Sequence, residues 1–232
     1  MRASSVGTRL GVVALALAAL AFLSFPLLRP WHDEGTRAGA IAAFGSGAWV
    51  ASHLMGALGF VLVPLGLLAV RSIVFSAPTG RLAMTSVVLC WLGAGLLLPF
   101  FGAETFGLNA IATAGSTDAT LDVLALSEAV RMGSAAVTTF GIGLLAVAVG
   151  SIAAAVAIAR SGVLPRYAGL VFAIGMALYL PQFFGPPWVR IAHGVLLALG
   201  LVFLALATWN AAKDEPAPAA TDPTTVESPE QG

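Results

Sequence analysis

Three side chains are candidates for chemistry because each is ionisable and each falls within or beside an apolar run: His53, His193 and Glu104. An ionisable group in hydrocarbon is costly, so a functional role is the first hypothesis to test. Two imidazoles and a carboxylate are the ligand set of one class of catalytic zinc site, with water in the fourth position. Two imidazoles from separate helices are equally able to clamp a haem iron. Glu104 lies in the stretch Leu98-Pro99-Phe100-Phe101-Gly102-Ala103-Glu104-Thr105-Phe106-Gly107-Leu108-Asn109-Ala110, where an apolar helix is expected to reach the membrane surface.

The helical rise of about 1.5 Å per residue puts His53 and His193 roughly 7 to 8 Å inside the ends of their own spans, at the face where Glu104 emerges. Ser52, Asn109, Gln182 and Arg190 are candidates for the surrounding shell. Neither His-x-x-x-His nor His-Glu-x-x-His spacing occurs. The opposing expectation is that each histidine bonds a backbone carbonyl or a headgroup in the interfacial zone, while Glu104 simply ends its helix. Zinc, another transition metal, haem and no cofactor at all stay open at this point. A Ser52–His53 nucleophile pair is disfavoured, because adjacent helical residues point about 100° apart.

The elements that position these residues follow from composition. Of 232 residues, 59% are hydrophobic and 9% charged, with a mean hydropathy of +0.95, whereas soluble chains carry about 25% charge. The chain therefore belongs in a lipid bilayer. Net charge is zero and no run of Lys or Arg exists, so nucleic acid binding and electrostatic capture by an anionic lipid surface lack the basic patch they need. Cys90 is the single cysteine, so no intrachain disulfide and no multi-cysteine metal site can form; it is expected to pack as a small hydrophobe.

An all-α, polytopic helical bundle is expected, with six transmembrane helices at about 10–28, 48–70, 82–103, 134–159, 167–184 and 188–210. Each is near the ~20 residues that cross a hydrocarbon core. The first run resembles a signal peptide, but it is long and ends at Phe25-Pro26-Leu27-Leu28-Arg29 without a small-x-small site, so it is expected to be retained. Between helices three and four, Ser116-Thr117-Asp118 is expected to cap a short surface helix bearing Leu121, Leu124, Ala125 and Glu128. Glu128 and Arg131, three apart, should form a surface pair. Residues 212–232, rich in Pro, Ala, Thr and acid, are expected to be a disordered, acidic, cytoplasmic tail.

With both termini inside, Arg2, Arg9, Arg71, Arg81, Arg160, Arg166 and Lys213 face the cytoplasm, against Arg29, Arg37, Arg131 and Arg190 outside. That bias favours cytoplasmic termini in a bacterial plasma membrane. Trp31, Trp49 and Trp188 then share the outer interface, as in an aromatic belt. Gly56 and Gly59, Gly93 and Gly95, and Gly141, Gly143 and Gly150 mark faces for close helix packing, within the chain or with a homo- or hetero-oligomeric partner. A weak internal echo also runs through the chain. Phe25-Pro26-Leu27-Leu28, Leu98-Pro99-Phe100-Phe101-Gly102 and Leu180-Pro181-Gln182-Phe183-Phe184-Gly185 end outward spans, and Trp49-Val50 and Trp188-Val189 each precede a histidine on the next inward span.

The turn Ala159-Arg160-Ser161-Gly162-Val163-Leu164-Pro165-Arg166-Tyr167-Ala168-Gly169, and the segment Phe101 to Asn109, resemble uncharacterised multi-pass integral membrane proteins of actinobacterial type. The resemblance covers about a sixth of the chain; it implies a helical bundle and supplies no activity. The expected function is that of a non-enzymatic structural or accessory membrane protein. A metal- or haem-binding protein using His53, His193 and Glu104, and a small membrane carrier, are the alternatives. The carrier is disfavoured by the lack of mid-membrane charge.

Overall fold

The computed structural model describes residues 3–75 and 77–214, and no strand occurs among them. The helices are α1 (Ala3–Leu28), α2 (Arg37–Phe44), α3 (Gly47–Ile73), α4 (Ala77–Gly102), α5 (Leu108–Thr117), α6 (Val123–Met132), α7 (Ser134–Ser161), α8 (Arg166–Ala177) and α9 (Pro187–Asp214). One π-helical turn, Ala103–Gly107, joins α4 to α5, and a 3-10 turn, Pro181–Phe184, precedes α9. The expected tail at 212–232 lies outside the described residues from 215 onward; before that, α9 runs to Asp214, beyond its expected end near 210.

Five helical stretches among the described residues are long and apolar enough to cross a membrane: Val6–Leu28, Gly47–Ile73, Thr79–Thr117, Ser134–Ser161 and Pro187–Lys213. Their outward faces carry exposed Leu17, Leu20, Leu58, Leu65, Trp91, Leu145, Ile152 and Phe203, while Leu15, Phe22, Phe60, Leu67, Leu97, Phe172, Leu197 and Leu201 fill the interior. Helices apolar all round suit a bilayer rather than water. The fifth expected span, 167–184, is shorter: α8 holds 12 residues. Pro181 explains the break, because a proline ring collides with the carbonyl four residues earlier, here that of Ala177, the last residue of α8.

The helices close into a ring. α1 packs against α3 and α9, α3 against α4, α4 against α7, α7 against α8, and α8 against α9. Small residues set the close approaches. A methyl group at Gly93 would lie 2.7 Å from the Gly143 carbonyl oxygen, and one at Gly150 would lie 2.8 Å from Cys90 Sγ. Gly56 and Gly59 lie under the rings of Phe101 and Phe22. The glycine faces expected for packing are thus used within the ring, except at Gly95 and Gly141, which meet nothing.

Over one end of the ring, α2, α5 and α6 form a cap with its own small core of Ala40, Phe44, Trp49, Leu108, Ala112 and Val123, against which Leu121 and Leu124 are partly buried. The third expected span, 82–103, does not stop at Glu104. The helix passes through the π turn and continues to Thr117. The expected cap at Ser116-Thr117-Asp118 is also displaced. Ser116 and Thr117 finish α5, and Asp122 caps α6 by accepting from the Ala125 amide at 3.0 Å. Arg37 ties α2 to the end of α5 by donating to the Gly115 and Asp118 carbonyls, both at 2.8 Å, where a cation complements the helix dipole.

The ring predicts unequal tolerance at two glycines of one helix. Gly93→Leu should lower the melting temperature of detergent-solubilised protein, by the equivalent of about 1–3 kcal/mol or more, because the β-branched Val147 side chain and the backbone of Gly143 and Val147 block it. Gly95→Leu should leave it nearly unchanged. Equal shifts would contradict the packing.

Candidate functional site

Glu104 reaches the centre of the cap because of the π turn. Leu108 N–H bonds the Ala103 carbonyl, five residues back, and this widened turn carries Glu104, buried, into the interior. Such π turns recur at functional sites. Trp49 pins the turn from α3 by donating from Nε1 to the Glu104 carbonyl at 2.7 Å.

Around Glu104 a circuit of five side chains closes. Arg131 of α6 donates from Nε to Glu104 Oε1 at 2.8 Å and from an Nη to Oε2 at 3.0 Å. Its other Nη donates to Glu34 at 2.9 Å. Glu34 also accepts from Arg29 at 2.6 Å, and Arg29 reaches His53 Nε2 at 3.4 Å. His53 Nε2 lies 3.7 Å from Glu104 Oε2, which closes the loop. The bidentate Arg131–Glu104 fork is the strongest geometry such a pair offers. Burial pushes the Glu34 carboxyl up, but Arg29 and Arg131 outweigh it and hold Glu34 below its ordinary value of 4.5. For Arg131, burial disfavours the charge, yet Glu104 and Glu34 more than offset this, and the guanidinium is held above its ordinary value.

The tautomer of His53 follows from its partners. Nδ1 lies 2.8 Å from the Trp49 carbonyl, an oxygen that can only accept, so Nδ1 carries the proton and Nε2 accepts from Arg29. Ser52 Oγ sits 3.1 Å from the same Nδ1 but donates its own proton to the Trp49 carbonyl at 2.8 Å. His53 therefore has no free lone pair toward Ser52, and the pair is not a nucleophile and base. Aromatic faces support the cations: Arg29 lies 4.6 Å from the Trp49 ring centroid and 5.3 Å from that of Trp31, and Arg131 lies 4.7 Å from Phe44.

Of the three residues that could form a metal site, the structure brings His53 and Glu104 together and sends His193 elsewhere. His193 Nε2 lies 2.8 Å from the Gly175 carbonyl of α8, and its ring stands edge-on to Tyr179 at 5.2 Å. No three His, Cys, Asp or Glu side chains gather as a metal set among the described residues. The donors do not suit zinc or haem: the lone pairs of His53 and Glu104 face guanidinium groups, and any metal ion would have to displace both arginines. Among the other shell candidates, Arg190 lines the same cavity as the circuit, Gln182 and His193 line a separate small one, and Asn109 is committed to the Phe44 carbonyl at 2.8 Å. Arg131 pairs with Glu104 and Glu34, not with Glu128, which is exposed. Trp49 is wholly buried and so does not belong to an interfacial belt; Trp188 is exposed.

Arg29, Glu34 and Arg131 are the residues of the candidate site that sequence reasoning passes over. Each sits in a polar connection that looks solvated, although a matched set of acids and bases beside apolar spans was the available signal. The circuit borders a cavity of about 470 Å³ at the mouth of the ring. Apart from Arg190, its remaining walls are apolar and include Phe100, Phe140, Leu180, Phe183 and Phe184. No family model, no curated protein and no solved structure matches this chain.

Two outcomes follow. In a double-mutant cycle, Arg131→Gln, which leaves the buried Glu104 without a guanidinium, should destabilise strongly, by about 3–5 kcal/mol. Glu104→Gln, which leaves Arg131 paired with Glu34, should cost less, and the double variant should fall well short of their sum; additive effects would exclude the pairing. Because the folded value of Glu34 is lowered, its contribution to stability is complete above 4.5 and fades as pH falls through the lower folded value. Acid melting curves of Glu34→Gln should accordingly flatten in that window relative to wild type.

Proposed function

We propose that this chain is a six-span integral protein of the bacterial plasma membrane, with both termini cytoplasmic, that acts without catalysis by binding an apolar guest in its outer cavity. The observation that carries this reading is the cavity itself. Its 470 Å³ falls within the range of about 300–1,000 Å³ typical of small-molecule sites, and an apolar wall with a few convergent polar groups is their usual chemistry. An accessory role fits the chemistry of the circuit, whose carboxylates and imidazole are all engaged by neighbouring cations or carbonyls, leaving no nucleophile or free base.

Six spans are supported by the ring, in which α8 occupies the position between α7 and α9 that a crossing helix would take. Orientation is supported by the arginines. Arg29 and Arg131 at the cavity end are consumed by ion pairs and Arg37 by carbonyls, while Arg9, Arg71, Arg81, Arg160, Arg166 and Lys213 lie at or near the helix ends on the opposite side. A basic excess on that side favours the cytoplasm.

Purified protein should enhance the fluorescence of the uncharged apolar probe N-phenyl-1-naphthylamine saturably, and Val137→Trp, which fills the cavity from α7, should weaken that binding about tenfold or more. Unsaturable partitioning, identical in the variant, would sink the cavity reading. Cysteine introduced at exposed Thr117 should label from outside the cell; labelling only from the cytoplasm would reverse the topology.

A further inference from the structure

We infer that the guest is a single-chain amphiphile with an anionic oxyacid head, a carboxylate or a phosphate, and that Arg190 receives this head. The inference rests on the cavity reading above and adds the chemical class of the ligand. Three guanidinium groups, Arg29, Arg131 and Arg190, line the cavity, but only two carboxylates, Glu34 and Glu104. His53 is neutral in its Nδ1–H form, so the cavity carries one uncompensated positive charge.

The excess resides on Arg190. Glu34 and Glu104 are taken by Arg29 and Arg131. Among the described residues, Arg190 makes no ion pair; one Nη donates to the Phe183 carbonyl at 2.7 Å, and its Nε is buried without a partner. The Nε of Arg29, a side chain nine-tenths buried, is likewise without a partner. The Arg190 guanidinium lies over the Trp31 and Phe183 rings at 5.6 and 5.5 Å, but no carboxylate offsets its charge, which is costly at the edge of an apolar cavity. An oxyacid, with two acceptor oxygens, matches its fork of donors. A cationic head would add to the excess and is disfavoured. The wall beside Arg190, formed by Leu180, Phe183 and Phe184, suits the apolar chain.

Neighbouring spaces do not compete. The small cavity shared by Arg29, Arg190 and Tyr179 measures about 20 Å³, which is water-sized. The groove between α1 and α3 has Thr8 and Ser72 as its only hydroxyl residues and no charge, so it cannot select a head.

The test uses full-length protein in a non-ionic detergent and displacement of N-phenyl-1-naphthylamine by oleate, lysophosphatidylglycerol, oleyl alcohol and oleylamine. Oleate, lysophosphatidylglycerol or both should displace the probe at concentrations about tenfold or more below those needed for the alcohol and the amine, the gain expected of a charge-assisted pair. Preference for oleate would identify a free acid as the source, and preference for lysophosphatidylglycerol a membrane lipid. Arg190→Gln should abolish the preference, so that acid, alcohol and amine displace the probe at similar concentrations, and Arg190→Lys, which keeps the charge, should retain most of it. Equal displacement by acid, alcohol and amine would overturn the inference while leaving the cavity standing. Saturable probe binding lost in Val137→Trp, with no displacement by any of the four, would overturn the inference alone. Absence of saturable probe binding would remove the cavity reading and the inference together.

Discussion

Arg131 is the side chain on which the rest of the site depends. Its guanidinium holds Glu104 through two parallel bonds and Glu34 through a third, so one group from α6 fixes the π turn and the loop that follows α1. Burying these charges has a large desolvation cost, and a well-packed apolar substitute could match the pair in stability. What the ion pairs supply is register. They allow the cap to sit over the ring in one way only, because any slip would leave a charge alone at low dielectric.

The cavity is a product of that register. Glu104 is carried inward by a helix that does not end near residue 103 but widens for one turn and goes on. Trp49 anchors the same turn through its indole N–H and offers its ring face to Arg29. The Arg29–Glu34–Arg131 chain then forms one side of the mouth, and the aromatic residues of α4, α7 and the 3-10 turn form the other. Break any one of these and the polar side loses its shape, while the ring below, held by Phe22, Phe60, Leu97 and Leu197, has its own core.

Much of this was legible before the structure. Apolar runs near 20 residues located the second, fourth and sixth expected spans within a few positions of α3, α7 and α9, and small residues at Gly93, Gly143 and Gly150 announced the tight crossings. His53, His193 and Glu104 were recognisable together as ionisable groups at the same end of apolar spans, and the structure joins only His53 and Glu104. His193 was not separable from them by depth alone: its depth is similar, but its direction around α9 turns it toward Gly175, and sequence spacing does not report helix rotation. The π turn was invisible because it hides inside an unbroken helical pattern. Arg131 was assigned to Glu128 by the local three-residue rule, and long-range partners at Glu104 and Glu34 won because they lie in a buried, low-dielectric setting where a pair is far stronger. Pro181 could have shortened the fifth span, yet Pro26, Pro64 and Pro99 all lie inside helices, so a proline alone does not tell a break from a tolerated one.

The most direct measurement of this account is hydrogen–deuterium exchange on Arg131→Gln against wild type. If Arg131 sets the register of the cap, exchange should rise together in residues 29–46, in the π turn at 103–107 and in α6, while the interiors of α1, α7 and α9 stay protected. An increase confined to α6, with the loop after α1 and the π turn unchanged, would contradict the claim that one guanidinium holds the site together.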